Sequence, residues 1–355
     1  MDNHAKDHAH QHLWPGVPLA LASAALFGAS TPLAKLLIGQ IDPWLLAGLL
    51  YLGAGIGLAI YRFIRSGAAS EAPLRKADVP WLALVILFGG VTGPVLLMLG
   101  LARTDASTTT LLLNLEGLAT MLIAWRVFRE NVDRRVFIGA MAILGGAIVI
   151  SWQGGASATW GIPLIAGACL SWGIDNNLTR KLSSADPVQI VAIKGCVAGT
   201  VNCLLAALQG AHLPPLPVIG MAAVVGFFGY GCSIVCYVLA LRHLGTARSG
   251  AYFSTAPFLG AALALLLFHE PVTVRLVAAG ALMFWGVWLH VTEGHSHFHE
   301  HEELTHEHPH RHDEHHQHDH GPNDPPGEPH VHAHTHRPLK HSHRHFPDLH
   351  HRHTH

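Results

Sequence analysis

VFRENVDRRVFIG at residues 127–139 and LFHEPVTVRLVAA at 267–279 decide how this chain is organised. Shifting one onto the other by 140 residues without gaps matches Phe128 with Phe268, Glu130 with Glu270, Val132 with Val272 and Arg135 with Arg275, and further on Gly146 with Gly286. Earlier in each half, LFGASTPLAK (26–35) faces SWGIDNNLTR (171–180), which aligns Gly28 with Gly173. The stretches that follow open on Asp42-Pro43 and Asp186-Pro187. The chain therefore reads as one unit written twice, 15–152 and 159–291, between a His-containing segment 1–14 and a His-rich tail 293–355.

Each copy is built from long apolar runs. A helix needs about 20 apolar residues to cross the hydrocarbon core, and ten stretches meet or approach this: 16–38, 43–64, 79–101, 106–127, 136–152, 159–179, 187–208, 216–241, 246–268 and 274–291. Connectors such as IDP, ADP, QGAHLPPLP and HEPVT turn the chain back between them. Nothing alternates with period two over the length of a barrel strand. The expected fold is an all-α integral membrane protein with ten transmembrane helices. Five spans per copy is an odd number, so the second copy is inverted relative to the first, a pattern that puts a transporter's substrate site between the repeats near the bilayer midplane.

Composition agrees, with 50% hydrophobic and only 13% charged residues against roughly 25% charged in soluble domains. The near-zero net charge gives no basic surface for nucleic acid. Cys169, Cys196, Cys203, Cys232 and Cys236 all fall inside apolar stretches, so a disulfide framework is not indicated. No cleavable leader precedes the first apolar run, which is expected to stay in the membrane. With the N-terminus inside, the internal cytoplasmic connectors and helix ends carry 12 basic residues: Arg62, Arg65, Arg75, Lys76, Arg126, Arg129, Arg134, Arg135, Arg180, Lys181, Arg242 and Arg248. The opposite side carries Lys35, Arg103 and Arg275. The positive-inside rule thus expects a multi-pass protein of the bacterial inner membrane with both termini in the cytoplasm.

With two five-helix repeats, small-residue first helices (ALFGAS, CLSWGI) and fourth spans that end on an acidic residue (FRE at 128–130, FHE at 268–270), residues 15–291 resemble the EamA-type transporters of the drug/metabolite transporter superfamily. The resemblance implies two inverted five-helix EamA repeats around a central cavity, alternating access, and movement of metabolites, amino acids or drugs, commonly outward. That family often has proline within the fourth helix of each repeat; Pro257 fits, whereas Glu116-Gly117 stands in the first copy. Arg129 and His269 replace the glycine often seen before the loop glutamate.

The residues with chemistry in the spans are few. Glu116, in LLLNLEGLAT, is costly at the centre of a bilayer. It reads either as a proton-coupled or cation-binding carboxylate, or as a glutamate hydrogen-bonded to Asn114, the Thr108–Thr110 cluster or a neighbouring helix. Asp175 and Lys194 lie at similar depth on consecutive antiparallel spans. They form either a structural ion pair with Lys194 snorkelling, or a substrate or gating pair beside Trp172, Asn176 and Asn177. Lys35 reads as a snorkelling anchor. Gly53 with Gly57, Gly89 with Gly93 and Gly195 with Gly199 are spacings for close internal helix packing, and Cys232 with Cys236 reads as core packing before it reads as a pair of soft metal ligands.

The tail holds 23 of the 31 histidines. They recur as His-x-His in HSHFHEH (His295, His297, His299, His301), in HEHPHRH (His306, His308, His310, His312), in HVHAHTH (His330, His332, His334, His336) and in HSHRH (His341, His343, His345). Mostly neutral imidazoles at cytoplasmic pH suit nickel, cobalt or zinc, in many exchanging sites rather than one cage. With so few large apolar side chains, the tail is expected to be disordered without metal. No cofactor is required by this reading, and monomer or homodimer are both open. The leading function is secondary active efflux of a small metabolite, amino acid or drug. One alternative is export of nickel, cobalt or zinc fed by the tail; another is a membrane-anchored metal buffer or sensor without transport. An enzyme is disfavoured because no nucleophile–base constellation or phosphate loop occurs.

Overall fold

A computed structural model describes residues 16–64, 74–128, 134–152, 160–179, 182 and 186–291, together with four stretches of the tail, 295–301, 304–310, 330–336 and 339–345. The 1–14 segment, Arg65, Arg129, Glu130, Arg180, Lys181 and His312 lie outside the described residues.

Eleven helices make up the described part of the membrane unit. They are α1 (Gly16–Leu37), α2 (Pro43–Ile64), α3 (Lys76–Leu101), α4 (Ala106–Leu112), α5 (Leu115–Phe128), α6 (Arg134–Ser151), α7 (Gly161–Thr179), α8 (Pro187–Leu208), α9 (216–253), α10 (Ala256–Phe268) and α11 (Val274–Val291). Seven helical stretches among the described residues are long and apolar enough to cross a membrane: α1, α2, α3, α6, α8, Leu216–Ala240 of α9, and 106–127, which includes the break between α4 and α5. α10 and Val274–His290 are apolar but shorter, and the apolar character of α7 is diluted by Asp175, Asn176 and Asn177.

Both Asp-Pro pairs start helices in the same way. Asp42 Oδ1 accepts from the amides of Trp44 (2.9 Å) and Leu45 (3.3 Å), and Asp186 Oδ1 from Val188 (2.9 Å) and Gln189 (3.3 Å). Proline fits the first helical turn, where its missing N–H would be unpaired anyway. Two helix boundaries differ from the sequence reading. Helical turns continue through the expected connector at 242–245 as far as Phe253, but the chain turns back on itself there, since the rings of Tyr237 and Phe253 lie 5.0 Å apart where a straight helix would set them about 24 Å apart; a further break falls at Ser254-Thr255. Pro257 cannot donate to Phe253 and so favours an interruption there. The fourth span breaks at Leu113-Asn114, the matching place in the first copy.

Each copy finds its neighbours in the other. α2 lies antiparallel on α8, α6 on α11, α3 on α7 and α9 on α1, while α5 also packs on α7 and α10 on α1. Glycine permits the closest crossings. A methyl at Gly55 would overlap Gly195 and Cys196, and one at Gly199 would overlap Leu52 and the Gly48 carbonyl. The aligned pair Gly28 and Gly173 does the same task twice: Gly28 seats α1 on Ala256 and Gly260 of α10, and Gly173 seats α7 on Ala119 and Thr120 of α5. These glycines are therefore internal packing positions. Arg62 pairs with Asp186 at one end of the α2–α8 crossing.

The tail is a separate unit. Where disorder was expected, four seven-residue strands are described, β1 (His295–His301), β2 (Leu304–His310), β3 (His330–His336) and β4 (Leu339–His345). β1 pairs antiparallel with β4 and β2 with β3, in a register that sets His297 opposite His343 and His308 opposite His332. Ladder pairing satisfies backbone groups without needing a core, although a two-stranded ladder is marginal by itself in water.

Candidate functional site

The site begins with a proline. In α3, residues Ile86–Thr92 (ILFGGVT) wind as a π-helix, and the Gly93 amide donates to the carbonyl of Phe88, five residues back. The next donor, at position 94, is a proline without an N–H. Gly89 thereby loses its i+5 partner and Gly90 its i+4 partner. Inside a membrane unit such carbonyls need side-chain partners, and they have them. The Tyr51 hydroxyl of α2 (2.6 Å) and Trp172 Nε1 of α7 (3.1 Å) both donate to the Gly89 carbonyl, while Asn202 Nδ2 of α8 donates to the Gly90 carbonyl at 3.0 Å.

The charged groups gather against this turn. Lys194 Nζ of α8 lies 2.5 Å from Asp175 Oδ2 of α7, with both side chains largely buried. A methyl group on Gly89 would overlap that carboxylate and that ammonium, so the absence of a side chain there is what lets the pair sit on the π turn. Thr179 Oγ1 donates to Asp175 Oδ1 at 3.3 Å. Glu116, at the start of α5 just after the Leu113-Asn114 break, accepts from Asn176 Nδ2 of α7 at 2.9 Å, and the same Nδ2 lies 3.2 Å from Thr120 Oγ1.

Of the span residues singled out in the sequence, Trp172, Asp175 and Lys194 meet at Gly89, and Asn176 joins Glu116 one residue further along α7. Asn114 stands apart from the carboxylate of Glu116, since its Nδ2 donates to Leu111 O at 2.8 Å and approaches Met283 Sδ at 3.9 Å. An apolar cleft of about 290 Å³ between Leu112, Ala147, Trp152 and Ile162 is lined by none of these residues. The five cysteines are free thiols.

The EamA-like transporter family matches residues 14–152 and 159–292, one match per copy. The chain belongs to that family. It is similar to an uncharacterized transporter of Methanothermobacter thermautotrophicus, 29% identical over 80% of this chain and 88% of the relative. The uncharacterized inner membrane transporter YedA of Escherichia coli is 24% identical over 76% of this chain and 89% of its own length. A probable amino-acid metabolite efflux pump of Salmonella typhimurium is 26% identical over 77% and 93%. One solved crystal structure superposes with a TM-score of 0.60 at 18% identity, covering 78% of this chain and 98% of its own, and so shares the fold. This EamA-like protein is thus a multi-pass membrane transporter built from two family repeats.

One position at which the chain departs from the family pattern has a visible consequence. His269 caps α10 in the left-handed region, at φ 50°, where a glycine is free of the Cβ penalty. Glu270 then reaches the other copy and accepts from the amides of Ala106 (2.8 Å) and Ser107 (3.0 Å), capping α4. Lys35 is more than an interfacial anchor, because its ammonium caps the end of α3 through Leu101 O (2.5 Å) and Thr104 O (2.7 Å). Sequence reading missed Tyr51 and Asn202. The signal for them was GGVTGP at 89–94, in which a proline inside an apolar span frees carbonyls that must be met from elsewhere.

Proposed function

We propose that the protein is a secondary active exporter of a small organic solute, working by alternating access between two inverted five-helix repeats that together cross the membrane ten times. Both termini then lie in the cytoplasm, following the excess of 12 basic residues over three. The observation that carries this reading is the convergence on one π turn of Asp175, Lys194, Trp172, Tyr51 and Asn202, drawn from α2, α7 and α8 of both copies. Intramembrane ionisable groups are expensive and mark solute or ion pathways by default, and broken or π-helical backbone is where transporters place their sites. The reciprocal antiparallel pairing of α2 with α8 and of α6 with α11 supports the inversion. Glu116 is assigned to coupling or solute binding on the same grounds.

The tail is read as an accessory that binds nickel, cobalt or zinc through neutral imidazoles, so its metal affinity should fall as pH drops through about 6.5. The deciding experiment compares accumulation of amino acids, other small organic solutes and these metals in cells carrying the full chain, a chain ending at Val291, or Glu116→Gln. Efflux of an organic solute should survive the truncation and be lost in Glu116→Gln. Efflux indifferent to Glu116→Gln would remove that residue from the pathway, and no export of any solute would end the transporter reading.

A further inference from the structure

Hydrogen-bond donors and acceptors that α7 and α8 turn toward α3 and α5 are unequally engaged. Tyr51 and Trp172 direct their donors to Gly89 O, Asn202 Nδ2 goes to Gly90 O, and Asn176 Nδ2 goes to Glu116. Asn177 Nδ2 is shared between Thr120 O (3.0 Å) and Gly173 O (2.8 Å). The matching acceptors are left over: Asn202 Oδ1 and Asn177 Oδ1 are buried with no partner, in residues that are 0% and 3% exposed. Neither amide can be turned round to cure this. Reversing Asn202, for example, would set its oxygen against the Gly90 carbonyl.

Charge points the same way. Glu116 and Asp175 face a single described cation, Lys194, which Asp175 already holds at 2.5 Å. An anion would have to draw Lys194 away from Asp175 and then lie beside two carboxylates. A solute ammonium would instead bring the donor that Asn202 Oδ1 lacks. Aromatic rings continue the wall, with Tyr51 5.5 Å from Tyr230 and Tyr230 6.0 Å from Phe27 between ring centroids. Their electron-rich faces favour a cation over an anion.

Resting on the reading of this cluster as the solute position, we propose that the protein takes a cationic amine, whose ammonium replaces Lys194 on Asp175 and donates to Asn202 Oδ1 while its apolar body lies along Tyr51, Tyr230 and Phe27. The test is calorimetric titration of the purified full chain in detergent near neutral pH with three molecules of one shape: phenethylamine, phenylacetate and phenethyl alcohol. Phenethylamine is expected to bind about tenfold or more tightly than phenylacetate. In Asn202→Leu and Asp175→Asn that preference should shrink about tenfold, and the charge preference of the unmodified chain stands even if a variant fails to fold. Equal or tighter binding of phenylacetate, no binding of phenethylamine at about 10 mM, or an unchanged preference in correctly folded variants would each overturn the proposal. Reconstituted vesicles separate the two readings: export of an anion refutes the amine and leaves the transporter, whereas no movement of any solute refutes the transporter.

Discussion

The third helices of the two copies share one backbone device and put it to different uses. In α3 the Gly93 amide reaches back to Phe88, and in α9 the Ser233 amide reaches back to Phe228, 140 residues later, closing the π-helical stretch Phe227–Cys232. Opposite α3, the first helix of the second copy presents Trp172 and Asp175. Opposite α9, the first helix of the first copy presents Phe27 and Ser30, with Ser30 packed against Gly229. Proline opens the turn at position 94, yet its counterpart is Ile234. A π turn alone therefore does not make a polar site; the proline that strands two carbonyls, together with a charged pair across from it, distinguishes the first copy.

The largest expected effect breaks that difference directly. Gly89→Ala forces a methyl into Asp175 and Lys194, and solute flux in reconstituted vesicles, normalised to inserted protein, should fall about a hundredfold. Gly229→Ala, whose nearest neighbour is the uncharged Ser30, should reduce flux by less than tenfold. Next in size is Lys194→Met, which strands the buried Asp175 carboxylate and should cost about 3 kcal/mol or more in a detergent melt. Adding Asp175→Asn should return most of that stability while flux stays low. Ser30→Ala removes only a hydroxyl that donates to Phe27 O at 2.6 Å, so about 1 kcal/mol is expected from the same measurement. The smallest change has the opposite sign. His269→Gly relieves a left-handed backbone and should raise stability by about 0.5 to 1 kcal/mol.

The repeat, the apolar runs, the Asp-Pro helix starts and the meeting of Asp175 with Lys194 could all be read from the chain, because each depends on spacing along one or two helices. The aligned Gly28 and Gly173 proved to sit at equivalent crossings, which the alignment alone had not stated. Tyr51 and Asn202 were not legible in the same way. Each is an isolated polar residue in an apolar helix, and its partner is a main-chain oxygen, which carries no sequence letter. The break at Ser254-Thr255 was missed because Pro257, which leaves the Phe253 carbonyl without its helical donor, counted only as a match to the family pattern. In the tail, the alternation of histidine was read as ligand density, although the same period of two also suits paired strands.

Glu270 caps α4 from across the repeat boundary, and this makes the amides of Ala106 and Ser107 a natural gauge of motion. If the halves part at that end during a cycle, two slowly exchanging hydrogens become available to solvent together. Deuterium uptake at those two positions would then time the opening without any label being attached to the protein.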